Sequence, residues 1–78
     1  MTGDWRERIA ADPAVLSGKP TVRGTRLGVA FLLNRLAAGW TRDDLLENYP
    51  RLTAEDVEAV LRHAAEAVGE ERVFPAVP

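Results

Sequence analysis

The chain has 78 residues, of which 46% are hydrophobic and 28% charged, and these proportions predict one small soluble domain. The sequence contains no cysteine, which excludes disulfides, thiol catalysis and cysteine-based zinc sites. A domain of this size buries only about 60% of the surface of its unfolded chain, so pairing with a second copy is a natural way to complete its core.

Charge is distributed unevenly around a net value of −2. Residues 1–40 contain six basic and three acidic side chains, whereas residues 41–78 contain four basic and nine acidic ones. Such asymmetry is typical of a protein that binds a polyanion with one end and a basic partner with the other. Ordinary charge on helix surfaces also explains much of the acidic half.

The sequence offers no signal for a membrane or for export. Its longest apolar run, Val29–Leu33, is far shorter than the roughly 20 residues that cross a bilayer. The first eight residues alternate charges with no apolar segment behind them, unlike a secretory signal. We therefore expect a cytoplasmic protein.

Residues 1–28 are predicted to form a basic arm with short extended segments. Gly18 and Gly24 permit turns and Pro20 favours an extended backbone, so the arm bends. We expect a short strand at Ile9–Ala11 and a short hairpin or bulged segment around Gly24. The charges of the arm indicate either a functional surface or a solvated connector. A phosphate-binding loop is excluded, because proline stands where the Walker pattern requires a glycine and a hydroxyl.

Three helices are predicted between residues 29 and 69. The first covers about 29–38, with an apolar stripe and Gly39 as its C-terminal glycine. Thr41 and Thr53 are predicted to cap the second and third helices, and Pro50 ends the second. The third helix carries the longest amphipathic stripe, made of Val57, Val60, Leu61, Ala64 and Val68.

The second and third helices and the turn between them have helix-turn-helix proportions, which favours a binding module over an enzyme. The first turns of the third helix carry Glu55, Asp56 and Glu58, which phosphates would repel. Dipole effects and an i, i+4 ladder of Glu58, Arg62 and Glu66 explain these charges structurally. If DNA is bound, we expect the contacts to come mainly from Lys19, Arg23, Arg26 and Arg35.

Catalysis, metals and cofactors are not expected. His63 is the only histidine, so no second imidazole can share a metal with it. The neighbouring carboxylates Asp43 and Asp44, like Glu55 and Asp56, stand in first helical turns, where capping accounts for them. The aromatic residues are too dispersed in the sequence for a stacking platform and are interpreted as core or interface anchors, namely Trp5, Phe31, Trp40, Tyr49 and Phe74.

A two-fold homodimer is predicted, with the N-terminal half as the contact. The chain is too small to bury all of its apolar residues outside the helical stripes by itself, namely Val15, Leu16, Val22, Leu27 and Trp40. Residues 70–78 form a tail after Gly69, which contains two prolines and is not expected to be helical. Its Glu70, Glu71, Val73 and Phe74 are predicted either to pack back on this domain or to bind a partner.

A specific pattern runs through residues 9–65. Glycine, lysine and proline at positions 18–20 precede arginine, glycine, threonine and arginine at positions 23–26, and a helix ending at Gly39 follows. Further matching positions are Ile9, Asp12, Pro13, Leu45, Leu46, Tyr49, Pro50, Leu52, Thr53, Asp56 and Val57. Together they resemble the prokaryotic domain-of-unknown-function family 433. The chain departs from that pattern at Gly28, where a proline is usual, and at Trp40, where smaller residues are common.

The resemblance implies a mostly α fold, in which a short β element precedes a trihelical, homeodomain-like helix-turn-helix unit. It also implies a VapB-like antitoxin of a type II toxin–antitoxin pair, which neutralises a PIN-like toxin and represses its own operon by binding operator DNA. Residues 1–78 would then form one domain, with the arm at 1–28, the three-helix unit at 29–69 and the tail at 70–78. The alternative is a small dimeric protein-interaction module that binds no nucleic acid.

Overall fold

A computed structural model of the chain describes residues 4–69, which form three α-helices and a short two-stranded antiparallel sheet. The elements are, in chain order, a 3-10 turn at Trp5–Arg8, strand β1 at Ile9–Ala10, a 3-10 turn at Leu16–Gly18, strand β2 at Thr21–Val22, and helices α1 at Val29–Ala37, α2 at Arg42–Asn48 and α3 at Ala54–Ala67. The mostly helical architecture with a preceding β element is confirmed.

The caps of α2 and α3 follow directly from the sequence. In α2 the Thr41 hydroxyl accepts from the Asp44 N–H at 3.1 Å, and the Asp44 carboxylate accepts from the Thr41 N–H at 2.8 Å. Thr53 and Asp56 repeat this reciprocal capping box at the start of α3, with distances of 3.1 and 3.0 Å. Both boxes satisfy backbone N–H groups that the first helical turn leaves without partners. Both predicted caps are confirmed.

The two strands join residues that are distant in sequence. Ile9 pairs with Val22 and Ala10 with Thr21, so the predicted strand at Ile9–Ala11 is one residue shorter than expected. The chain then turns back at Gly24, whose φ of +82° only glycine adopts readily. The Val22 N–H donates to the Leu27 carbonyl at 2.9 Å across this turn, which confirms a short hairpin.

The core lies where β2 meets the three helices. Its fully buried side chains are Val22, Leu32, Leu45, Val57 and Val60. The expectation that Val22 needs a second copy for its burial is wrong, because the chain itself covers it. Ile9 from β1 and Leu27 from the far side of the hairpin both pack against the same core cluster.

The buried face of helix α3 agrees with the predicted stripe at Val57 and Val60 and departs from it at Leu61 and Val68. Its buried residues are Asp56, Val57, Ala59 and Val60. By contrast, Leu61 is 48% exposed and Val68 55% exposed, although both belong to the predicted apolar stripe. Helix α3 contacts α1 and α2, and it is also contacted by the N-terminal 3-10 turn and by β1. This extra contact moves the buried face away from Leu61 and Val68.

Within residues 4–69, the structure contains no helix with the length and apolar character needed to span a membrane.

Candidate nucleic-acid interface

The arginines of the N-terminal 3-10 turn bind carboxylates. Arg6 donates to Glu66 of α3 and also to Asp4, and these hydrogen bonds, that to Glu66 first, raise the pKa of its guanidinium. Arg8 donates to the Asp56 carboxylate at 3.1 Å. This ion pair joins the N-terminal turn to the capped start of α3, and its carboxylate is buried, because Asp56 is only 8% exposed. These two arginines are occupied by structural contacts.

The predicted ladder on α3 is only partly present. Arg62 pairs with Glu58 at 3.2 Å, one turn apart on the helix. Glu66 binds Arg6 and so is recruited by the N-terminal turn. Nearby, the Trp5 ring meets the His63 ring edge-on, with centroids 6.3 Å apart, and His63 is half-buried. The acidic side of α3 therefore serves partly as a docking face for residues 5–8.

A second group of arginines lines an open cleft of about 750 Å³, called here the arginine cleft. Arg23 and Arg26 reach it from the arm, and Arg51 reaches it from the connection between α2 and α3. All three arginines are exposed. The structure thus brings together two residues predicted for nucleic-acid binding and one that the sequence analysis missed.

Hydrogen bonds between side chains and backbone hold the hairpin turn that lines the cleft. Arg51 donates to the Gly24 carbonyl at 2.9 Å, which fixes the hairpin turn against the connection between α2 and α3. The Arg23 Nε donates to the Glu7 carbonyl. The Thr25 hydroxyl donates to the Val22 carbonyl at 2.7 Å and accepts from the Leu27 N–H at 3.0 Å. These bonds hold the turn in one conformation, so its arginines are presented on a fixed frame.

The cleft carries a net positive charge. The ion pairs found among residues 4–69 involve Arg6, Arg8 and Arg62, and none of them involves an arginine of the cleft. Asp12 also lines the cleft and accepts from the Ala14 N–H at 2.9 Å. Three guanidinium groups against one carboxylate give a surface suited to an anion, and guanidinium forks match phosphate geometry.

Lys19 and Arg35, also predicted for nucleic-acid binding, lie elsewhere. Lys19 lines a separate groove of about 740 Å³, called here the apolar groove, which lies between the arm, α1 and the end of α3. The Arg35 guanidinium carbon lies 4.7 Å from the Phe31 ring centroid and 5.1 Å from that of Trp40. The Arg35 Nε is buried and has no hydrogen-bond partner among residues 4–69. Cation–π contacts with the Phe31 and Trp40 rings explain the position of the Arg35 guanidinium.

The aromatic residues are less dispersed than the sequence suggested. Tyr49 stacks on Trp40 with centroids 6.3 Å apart and meets Phe31 edge-on at 5.9 Å. Tyr49 also lines the arginine cleft. Three rings and Arg35 therefore form one cluster beside the cleft, which the expectation of scattered anchors had not foreseen.

The sequence carried a signal for Arg51, since it is the one cation in the turn between two capped helices. Its importance becomes visible only when the hairpin folds against that turn. The predicted partner-binding residues Glu70, Glu71, Val73 and Phe74 lie outside the described residues. Among residues 4–69, no three histidine or carboxylate side chains gather closely enough to hold a metal ion.

The fold and the cleft define a class of small, mostly helical domains that present a cationic surface beside a short β arm. The family described as "Protein of unknown function (DUF433)" matches residues 9–64. This chain belongs to the DUF433 family.

Two relatives are similar over most of the chain. The uncharacterized protein y4eO of Sinorhizobium fredii is 36% identical over 75 residues, which cover 94% of this chain and 34% of y4eO. The crystal structure of a DUF433 member from Anabaena variabilis is 38% identical with a TM-score of 0.71, covering 81% of this chain and 61% of that one. The chain thus spans about a third of y4eO and less than two thirds of the Anabaena protein.

Proposed function

We propose that this chain is a DNA-binding regulator whose arginine cleft contacts the phosphate backbone. The observation that carries the proposal is the convergence of Arg23, Arg26 and Arg51 on one open cleft. The arm supplies two of these arginines and the connection between α2 and α3 supplies the third. Such a surface grips a polyanion through charge-assisted hydrogen bonds and the release of counterions.

In this proposal α2, residues 49–53 and α3 act as a homeodomain-like helix-turn-helix unit. The exposed carboxylates Glu55 and Glu58 on α3 are not among the residues that line the arginine cleft. Phosphates would repel them, so α3 is a poor reader of base edges. The arm and the turn therefore provide most of the contact, and affinity depends more on the backbone than on sequence.

The biological role that we propose is that of a VapB-like antitoxin, which neutralises a PIN-like toxin and represses its own operon. This part of the proposal is supported by the resemblance of the sequence to its family. The residues named for toxin binding are Glu70, Glu71, Val73 and Phe74, which lie after α3.

A salt-dependent binding experiment tests DNA binding. A labelled duplex from the region upstream of its own gene is titrated with the protein at several salt concentrations, and log K is plotted against log salt. Each phosphate contact contributes about 0.9 to the slope, so Arg23→Ala, Arg26→Ala and Arg51→Ala together should flatten it by nearly three units, with the fold intact by circular dichroism. Absence of binding by the unaltered protein at low salt would overturn the proposal.

Matched variants locate the contact surface. Arg42 is exposed at the start of α2 and does not line the cleft, so Arg42→Ala should leave the slope unchanged. Lys19→Ala should also leave it unchanged, because Lys19 lies in the apolar groove. Glu55→Gln with Glu58→Gln should strengthen binding or have no effect. If this pair clearly weakens binding, α3 reads bases and the cleft is the wrong surface.

A second candidate function is a dimeric interaction module without nucleic-acid binding. The exposure of Leu16, Phe31 and Val68 around the apolar groove favours it, because apolar patches of this kind mark interaction surfaces. Sedimentation velocity at tens of micromolar tests the dimer. A stable dimer that binds no DNA would support this candidate, whereas a monomer would exclude the homodimer.

A further inference from the structure

Three of the four exposed large hydrophobic residues among residues 4–69 lie in one place. Leu16 is 44% exposed, Phe31 39% and Val68 55%, and all three line the apolar groove. Of the exposed large hydrophobic residues in that range, only Leu61 lies elsewhere. A small domain that concentrates its exposed apolar side chains in one groove has a surface suited to an apolar segment.

The groove is shaped by its backbone and by small residues. Leu16 and Ser17 both have positive φ, at 49° and 57°, which non-glycine residues adopt only when the surrounding structure imposes it. This conformation places the Leu16 side chain against Gly28, whose missing Cβ would stand 3.3 Å from the Leu16 Cδ1. On the α3 side, Ala64 and Ala67 leave room for a larger side chain.

The groove also lies next to the point where the described chain stops. Val68 lines it and Gly69 is the last described residue. The sequence then continues with two acidic residues and the apolar Val73, Phe74 and Val77. Extended chain spans up to about 3.5 Å per residue, so Phe74 can reach about 20 Å from Val68. This reach is ample for a groove that begins beside Val68.

We propose that residues 73–77 of the same chain dock in the apolar groove, with Phe74 as the main anchor. Charge complementarity supports this occupant, because Glu70 and Glu71 precede the apolar residues and Lys19 is the cation that lines the groove. Covalent attachment also favours docking, since the short linker between Val68 and residues 73–77 gives the tail an effective concentration at the groove in the millimolar range. The inference does not depend on DNA binding. A partner that takes hold of the tail must compete with the groove for it.

A spin label tests the docking in the full chain. Because the sequence has no cysteine, Ala76→Cys provides a single site for a nitroxide. In a uniformly ¹⁵N-labelled sample, the amide signals of residues 16–19 and 64–68 should lose intensity relative to the reduced, diamagnetic sample. The signals of Thr25 and Asn48, which line the arginine cleft, should keep theirs. Equal attenuation at both surfaces, or none at the groove, would overturn the proposal.

A mixed sample identifies which chain supplies the tail. Protein that carries the nitroxide and has nitrogen at natural isotopic abundance is mixed with ¹⁵N-labelled protein that carries no nitroxide. Docking within one chain predicts no attenuation in this mixture. Attenuation at residues 16–19 and 64–68 in the mixture would show that a second copy provides the occupant, and the proposal would be wrong.

Substitutions in the tail distinguish apolar docking from a charge effect. Phe74→Ala, made in the spin-labelled chain, should lower the ratio of docked to undocked tail on the order of tenfold, because it removes the largest apolar group. Arg72→Ala is the matched control in the same tail and should keep the attenuation pattern. Equal losses in the two variants would contradict Phe74 as the anchor. Circular dichroism should show unchanged helix content in both.

Discussion

Two segments of the N-terminal half contain arginines that serve different roles, one in the fold and one at the surface. In residues 5–10, Arg6 and Arg8 bind carboxylates of α3, and the buried Asp56 is one of them. In residues 21–27, Arg23 and Arg26 line an open cleft and, among the described residues, form no ion pair. The first segment uses its charge to hold the fold together, whereas the second presents its charge to solvent.

This difference shows why net charge along the sequence is a poor guide to binding. Residues 1–40 contain six cations, but Arg6 and Arg8 are neutralised locally and Arg35 is stacked between rings. Arg51, which belongs to the acidic half, joins the exposed arginines of the arm. The available positive charge is therefore set by folding and is concentrated at the cleft.

The sharpest test of the first segment is Asp56→Ala, for which we expect the largest effect. The change removes the carboxylate that accepts from the Thr53 N–H and forms the ion pair with Arg8, whereas the backbone N–H of residue 56 still donates to the Thr53 hydroxyl. We expect a loss of about 2 kcal/mol in the free energy of unfolding, measured by urea denaturation.

Asp44→Ala is the matched control, because Asp44 occupies the same place in the α2 capping box and has no ion pair among residues 4–69. It should cost clearly less stability than Asp56→Ala. Equal losses would mean that the contact between Arg8 and Asp56 contributes nothing, and the contrast between the two arginine segments would fail.

Gly24→Ala tests the frame of the second segment. Apart from its two chain neighbours, no heavy atom of residues 4–69 lies within 4 Å of the added Cβ, so the cost comes from the φ of +82°. We expect a loss of about 1 kcal/mol, measured by urea denaturation, because L-residues are strained in the left-handed region. A neutral result would show that the turn shifts easily, and the arginines of the cleft would then lack a fixed frame.

Arg8→Ala and Arg26→Ala compare the two segments directly. Arg8→Ala leaves the buried Asp56 carboxylate without its ion-pair partner. We expect the free energy of unfolding, measured by urea denaturation, to fall by less than about 1 kcal/mol, since Arg8 itself is partly exposed. Arg26→Ala should change stability by less than about 0.5 kcal/mol. The reverse order of the two effects would contradict the assignment of structural and available arginines.

The smallest expected effect is on acid stability. The Thr41 N–H, and then its hydroxyl, lower the pKa of Asp44 from its ordinary value of 3.8, and the Arg6 N–H does the same for Asp4. A lowered folded pKa gives stability that is present above the ordinary value and is lost as pH falls below it. Urea midpoints between pH 6 and 3 should therefore fall, and Asp44→Asn should flatten the curve. A curve as steep as that of the unaltered protein would exclude this contribution.

Elements with local signals were predictable from the sequence. The capping boxes at Thr41 and Thr53 depend on residues three positions apart, and Gly39 follows α1 with a φ of +104° as expected for a C-terminal glycine. Helix α1 ends one residue before the predicted end. These features are fixed by hydrogen bonds within one turn of the chain, which a sequence pattern records.

Features that depend on distant contacts were not predictable. The pairing of β1 with β2 joins residues 9–10 to residues 21–22, and no local pattern specifies that register. The stripe on α3 was misplaced at Leu61 and Val68, because nothing in the helix reveals that residues 5–10 pack on it. The sequence pattern indicated Arg23 and Arg26 as candidates for nucleic-acid binding. Arg51 was missed for the same reason as the α3 stripe, because its place beside them depends on a distant contact, its bond to the Gly24 carbonyl.

The ion pairs of the N-terminal turn also bear on how the protein is made. Arg8 meets Asp56 across 48 residues, and Arg6 meets Glu66 across 60. A ribosome therefore releases residues 5–8 long before their partners on α3 exist. Residues 5–8 can form these ion pairs only after α3 has been synthesised, so the contact between the N-terminal turn and α3 is completed late in the folding of this domain.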